Sequence, residues 1–149
     1  MKKTASLLST MVVLIIIFSS SCSKSTNHNP VNVQLLKMQV DSVKSFINGN
    51  WKVVKTTGGF APTTTYPTNY YYEFLNNSSK IVSTKDGNTI INDTLIWAKD
   101  FISGDSINIM RYHELNQIPA AEITLQIIND TFIFRDDGAD ATFFYLIKK

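Results

Sequence analysis

The chain has 149 residues, with 14 Lys or Arg against 12 Asp or Glu, and its formal charge of +2 offers no basic face for nucleic acid. A single cysteine excludes an internal disulfide, and with only two histidines a site built from imidazole and thiolate is almost excluded as well.

The first 21 positions, MKKTASLLSTMVVLIIIFSSS, place Lys2 and Lys3 before an apolar core from Leu7 to Phe18 and end in three serines. That is the pattern of a secretory signal. A membrane-spanning helix needs roughly 20 apolar residues, and Ser6, Ser9 and Thr10 dilute a shorter run here. Small residues at Ser19 and Ser21 predict cleavage just before Cys22. The sequence SSCSK resembles the serine-rich lipobox of Bacteroidota lipoproteins, although Ser19 stands where such boxes usually carry Leu. The resemblance implies a diacylglycerol on the Cys22 thiol and a further acyl chain on its amino group. Two or three acyl chains, at about 0.8 kcal/mol per buried CH₂, would anchor the protein in a membrane without inserting any of its polypeptide. Loss of Lys2 and Lys3 then leaves basic side chains equal in number to the 12 acidic ones. Outward-facing lipoproteins of this kind can carry acidic residues after the cysteine. Ser23, Lys24 and Ser25 do not match that pattern, so the expected place is the periplasmic face of the outer membrane.

From Cys22 to Asn32 the chain is polar and without periodicity, as expected of a flexible tether. Leu36, Val40, Val43 and Ile47 then fall on one helical face, with Lys37, Asp41 and Lys44 opposite, which predicts an amphipathic helix from Val33 to Ile47 stopped by Gly49. From Trp51 onward β-branched and aromatic runs alternate with Asn, Asp and Gly clusters. NWKVVKTT, YYYEFLN, KIVSTK, TIIN with TLIWAK, SINIMRYHE, AEITLQII, TFIFRD and ATFFYLIKK read as strands. The string IINDT occurs at 90–94 and at 127–131, and Asn-Asp between strand runs reads as a tight hairpin turn each time. About eight strands with short connections predict an all-β, eight-stranded up-and-down barrel over residues 33–149, preceded by the short helix. Period-two alternation points Trp51, Val53, Phe74, Leu95, Trp97, Ile107, Ile109, Ile123, Leu125, Ile127, Phe132, Phe134, Phe143 and Tyr145 inward.

INGNWKVVKTTGGF, with Gly49, Trp51, Gly58, Gly59 and Phe60, resembles the opening of lipocalin-like lipoproteins of Bacteroidota. The C-terminal FIFRDDGADATFFYLIK is similar to their closing hairpin, so the likeness spans Val33 to Lys149. It implies a structural role for Gly49 and Trp51, the tryptophan packing at the closed end of a barrel. It also implies a barrel able to hold a small, largely apolar molecule.

Catalytic chemistry finds little support. His113 is the one histidine in the folded region, and HELNQ lacks the second histidine of HExxH. It is expected exposed at a strand end. Asp136, Asp137 and Asp140 fail the EF-hand spacing and suit a hairpin turn. No enzyme activity, metal or other cofactor is therefore expected. Phe60, Tyr66, Tyr70, Tyr71 and Tyr72 gather around the first long loop. That loop serves either to fold back over the barrel, to form a ligand mouth or to contact another envelope protein. The leading expectation is non-enzymatic binding of a small hydrophobic or amphipathic ligand, touched by Trp97, Tyr112, Arg111, Phe60, Tyr66 and Tyr72. The alternative is an envelope interaction or inhibitor module with a packed interior. Asp41-Ser42-Val43, Asp93-Thr94-Leu95 and Asp105-Ser106-Ile107 are also similar to an O-glycosylation sequon of Bacteroidota exported proteins, though Asp with Ser or Thr serves turns equally well.

Overall fold

The computed structural model describes residues 30–59, 63–102, 105–113 and 119–149; the leader, Cys22, most of the tether and Phe60 lie outside the described residues. The chain is mostly β, with one short helix, α1 (Val40–Ile47). Its strands are β1 (Val33–Gln34), β2 (Gly49–Gly58), β3 (Thr63–Thr65), β4 (Tyr70–Leu75), β5 (Lys80–Lys85) and β6 (Asn88–Thr94). They continue as β7 (Ile96–Ile102), β8 (Asp105–His113), β9 (Pro119–Ile128), β10 (Thr131–Asp136) and β11 (Thr142–Lys148). Among the described residues no helix is long and apolar enough to cross a membrane.

All the strands join one antiparallel sheet in the order β6-β5-β4-β2-β11-β10-β9-β8-β7, with β1 alongside β9 and β3 alongside β2. The first long strand pairs with the last, so the sheet curls into a half-barrel around an aromatic core. Its two path ends come back toward each other. Leu95 N–H donates to the Ser79 carbonyl at 2.9 Å, and the Trp97 indole N–H donates to the Ser78 carbonyl at 2.7 Å. Asp93 of β6 reaches across to β8, its carboxylate accepting the His113 backbone N–H at 2.6 Å.

The amphipathic segment becomes a helix only in its second half. Residues 35–38 are drawn instead to the gap beside β9, where the N–H groups of Leu35 and Leu36 both donate to the Leu125 carbonyl at 3.0 Å. The buried amide of Asn108 completes the capture, donating to the carbonyls of Leu35 at 2.9 Å and Met38 at 3.0 Å. These partners satisfy the backbone groups that a longer helix would have satisfied internally. The sequence gives no local sign of them. What remains of the helix buries Val43 and Ile47 against the sheet.

The two copies of IINDT adopt different structures. Asn129 and Asp130 have φ of 47° and 61°, as the expected hairpin turn between β9 and β10 requires. Asn92 and Asp93 stay inside β6, paired with Val82 and Ile81. The turn expected there does not form, because the following residues leave β5 and pair with β8 rather than folding back on β6.

Several inward assignments also change. Met110 and Tyr112 enter the main core in place of Ile107 and Ile109, and Phe144 and Leu146 enter in place of Phe143 and Tyr145. Ile107, Ile109 and Ile123 form a second cluster, with Leu125 and Leu36 packed on it. Both faces of these strands are apolar, so period two alone could not choose between them. The N-terminal segment buries the second face. Register shifts between Ile133 and Phe134 and between Tyr145 and Leu146 also break the count along the strands. Trp51, Val53, Phe74, Leu95, Ile127, Phe132 and Phe134 lie in the main core as expected, with Trp97 packed against it.

Candidate functional site

The two ends of the curled sheet differ. At one end α1 covers the core: the Trp51 indole donates to the Ile47 carbonyl at 2.6 Å, and its ring meets Phe132 at 5.4 Å. Ser78 locks the same end, its hydroxyl donating to the Lys44 carbonyl at 2.9 Å while its N–H donates to Asn48 Oδ1. Gly49 has φ of +125°, a conformation that favours glycine at this entry into β2.

The other end is an open cup of about 930 Å³. Its apolar wall comes from Ile90 and Ile91 on β6, Ala120 on β9 and Phe144 on β11. Its deepest residues are Tyr72, Tyr112 and Glu122, which are nearly inaccessible to solvent. The rim carries Lys85 on one side and the turn from Asp136 to Asp140 on another. Below the cup aromatic rings pack together: Phe134 stacks on Phe144 at 4.9 Å and meets the Tyr72 ring edge-on at 5.3 Å.

Hydroxyl groups organise the floor. Tyr112 donates to Glu122 Oε1 at 2.8 Å, and the hydroxyls of Tyr70 and Tyr72 lie 2.8 Å apart. Lys85 places its ammonium 5.7 Å from the centre of the Tyr70 ring. Burial pushes the Tyr72 phenol well above its ordinary pKa, and the neighbouring Tyr70, Tyr112 and Glu122 push it further in the same direction.

This raised pKa predicts a pH limit. The folded protein keeps a proton that the unfolded chain releases near pH 10, so the contribution to stability is complete below about pH 10 and is lost as pH rises further. In an alkaline titration the Tyr72 phenolate is expected to appear only together with loss of the near-ultraviolet circular dichroism. Tyr72→Phe is expected to remove one phenolate from that step. An unchanged phenolate count in the variant would contradict the assignment.

Of the residues singled out from sequence, Tyr72 and Tyr112 meet in the cup. Trp97 instead donates its indole N–H to the Ser78 carbonyl at the closed end. Arg111 is half exposed and lies 3.5 Å from Asp100 in a surface ion pair. Tyr66 is 72% exposed and borders a separate shallow groove with Pro67 and Asp86. On the paired strands β7 and β8 Trp97 lies opposite Met110, two residues from Tyr112, yet its indole turns to the Ser78 carbonyl while Tyr112 lines the cup, a difference that alternation alone could not show. His113 ends β8, half exposed, with Nδ1 3.1 Å from Asp93. Hydrogen bonds from the backbone of His113 and Thr94 hold the Asp93 carboxyl below its usual pKa.

Sequence reasoning missed Glu122 and the two isoleucines of β6, and it placed Tyr70 at the first long loop without counting it among the ligand contacts. The visible signal for Glu122 was a lone carboxylate inside the strand run AEITLQII, hidden because the inward phase was assigned to Ile123. The DDGAD segment forms the β10–β11 connection expected of it, with Asp136 accepting N–H bonds from Gly138 and Thr142. Its position on the cup rim was not legible. Among the described residues no group of three or more His, Cys, Asp or Glu side chains is placed to hold a metal ion. No protein-family model, curated protein or solved structure matches this chain.

Proposed function

We propose that this protein is a lipocalin-like lipoprotein of the bacterial envelope, tethered through acylated Cys22, that binds a small amphipathic molecule in the cup without catalysing its conversion. The observation that carries the reading is the cup itself: about 930 Å³, apolar at its wall and hydrogen-bonding at its floor. That combination of an apolar body and a few convergent polar groups is what a small-molecule site needs.

The sheet order favours an up-and-down barrel. Eight antiparallel pairings separate β6 from β7 along the path, an even number, so the two strands run the same way. Only Leu95 lies between them in sequence. Counted as one strand broken at Leu95, they leave eight strands on the path, the number that lipocalin-like closure uses. The break lets the strand pair first with β5 and then with β8.

Native mass spectrometry of the protein taken gently from its own host tests the reading. The expected result is a reproducible added mass that denaturation removes and that Ala120→Trp, which fills the cup, abolishes. A clean mass for the unmodified chain together with a stoichiometric protein partner would overturn it in favour of an interaction module. The exposed Tyr66 would then be the first contact to test.

A further inference from the structure

We propose that the ligand of the cup carries a positive charge: an organic ammonium group on an apolar body, its head held between the tyrosine rings and Glu122. This rests on the reading of the cup as a ligand site and adds the charge of what it takes. The first support is the balance of ionisable groups. Glu122, Asp136, Asp137 and Asp140 line the cup, and Lys85 is the single Lys or Arg lining it among the described residues. Asp136 is engaged by the turn, since its two oxygens accept N–H bonds at 3.3 and 3.0 Å, so the rim contributes chiefly Asp137 and Asp140.

The second support is the floor. Glu122 is 4% exposed, and the Tyr112 hydroxyl donates to one of its oxygens. Beside a buried, hydrogen-bonded carboxyl group the local dielectric is low, so a cation reaching it would be attracted more strongly than in water. The raised pKa of Tyr72 comes first from burial, and Tyr70, Tyr112 and Glu122 add to it by disfavouring a second negative charge on the floor. An anionic head group would meet Glu122 and the tyrosine oxygens in a cup whose one lining Lys or Arg, among the described residues, is Lys85 at the rim.

The third support is aromatic. Tyr70, Tyr72 and Tyr112 all line the cup, and ring faces attract cations within about 6 Å of their centres. The protein already contains one such contact, Lys85 over Tyr70 at 5.7 Å. A ligand ammonium would find the same surface deeper in, where water competes less. Ile90, Ile91, Ala120 and Phe144 would take the apolar body.

Calorimetric titration of the full chain in a nonionic maltoside detergent, with micelles alone as reference, tests the charge. The probes are benzyltrimethylammonium, benzyl alcohol and phenylacetate, which share a ring and differ in charge. Benzyltrimethylammonium is expected to bind roughly tenfold more tightly than either of the others. Glu122→Gln, which can still accept from Tyr112, is expected to weaken the cation about tenfold and to weaken benzyl alcohol much less. Lys85→Gln, at an exposed rim position, is expected to tighten the cation several-fold, and it keeps the test valid if Glu122→Gln unfolds. Equal or tighter binding of benzyl alcohol or phenylacetate would overturn the charge assignment while leaving the cup a ligand site. Absence of binding by all three probes also overturns it; the cup reading itself falls only if the native mass is clean as well.

Discussion

Replacing Phe134 by alanine is expected to destabilise the protein by about 3–5 kcal/mol, the range for removing a fully buried aromatic side chain. Phe134 has no solvent exposure and touches three other rings: Phe144 at 4.9 Å, Tyr72 at 5.3 Å and Phe132 at 5.4 Å. Those rings come from β4, β10 and β11, so no single neighbour can move to fill the space. Loss of transfer energy and an unfilled cavity therefore add. In a domain of this size the midpoint of thermal unfolding should fall by on the order of 10 °C or more. Phe134→Leu, which keeps most of the volume, should cost well under half as much. Equilibrium unfolding in urea gives both values, and a loss below about 1 kcal/mol for the alanine variant would show that the ring stack is not closely packed. Because Phe144 and Tyr72 also line the cup, the same variant should weaken ligand capture at temperatures where it remains folded.

Gly58→Ala should be similarly damaging for a different reason. Gly58 ends β2 at φ +117°, opposite Thr142 on β11, and a Cβ built there would lie 2.1 Å from the Ala141 carbonyl oxygen. Neither atom belongs to a flexible side chain, so the backbone of one strand must shift. Strained backbone and forced separation each cost about 1–3 kcal/mol, giving an expected loss of roughly 2–5 kcal/mol. Gly59→Ala is the natural comparison, because it shares a positive φ of 90° but has nothing within 4 Å of its added Cβ. It should pay for the dihedral alone. Thermal unfolding of the pair separates contact from conformation: equal losses would mean that the approach of Ala141 contributes nothing.

Much of the fold was readable from short-range pattern. KIVSTK is β5 and TFIFRD is β10, residue for residue, because β-branched runs bounded by turn residues are local signals. Asp86 and Gly87, at φ 51° and 81°, make the β5–β6 turn for the same reason. Failures came where a distant partner decided. Asn108 and the Leu125 carbonyl hold the first half of a well-patterned helix as a two-residue strand followed by a turn. Identical IINDT strings took a turn in one place and a strand in the other, since only the second copy is followed by residues that pair back onto it.

The candidate site shows the same division. Its chemistry was partly visible in sequence, as Tyr72 and Tyr112 on strands and a cluster of aspartates suited to a turn. Which of them would meet was not visible, because strands from opposite halves of the chain build the cup and the closure of β2 against β11 brings them together. Sequence determined the strand-forming segments and most turns, since dihedral preference and period-two burial act over a few residues. Tertiary structure alone decided which apolar face turned inward, where the helix began and that Glu122 would stand beside Tyr112. Those outcomes depend on register and on hydrogen-bond partners many tens of residues away, which no local pattern encodes.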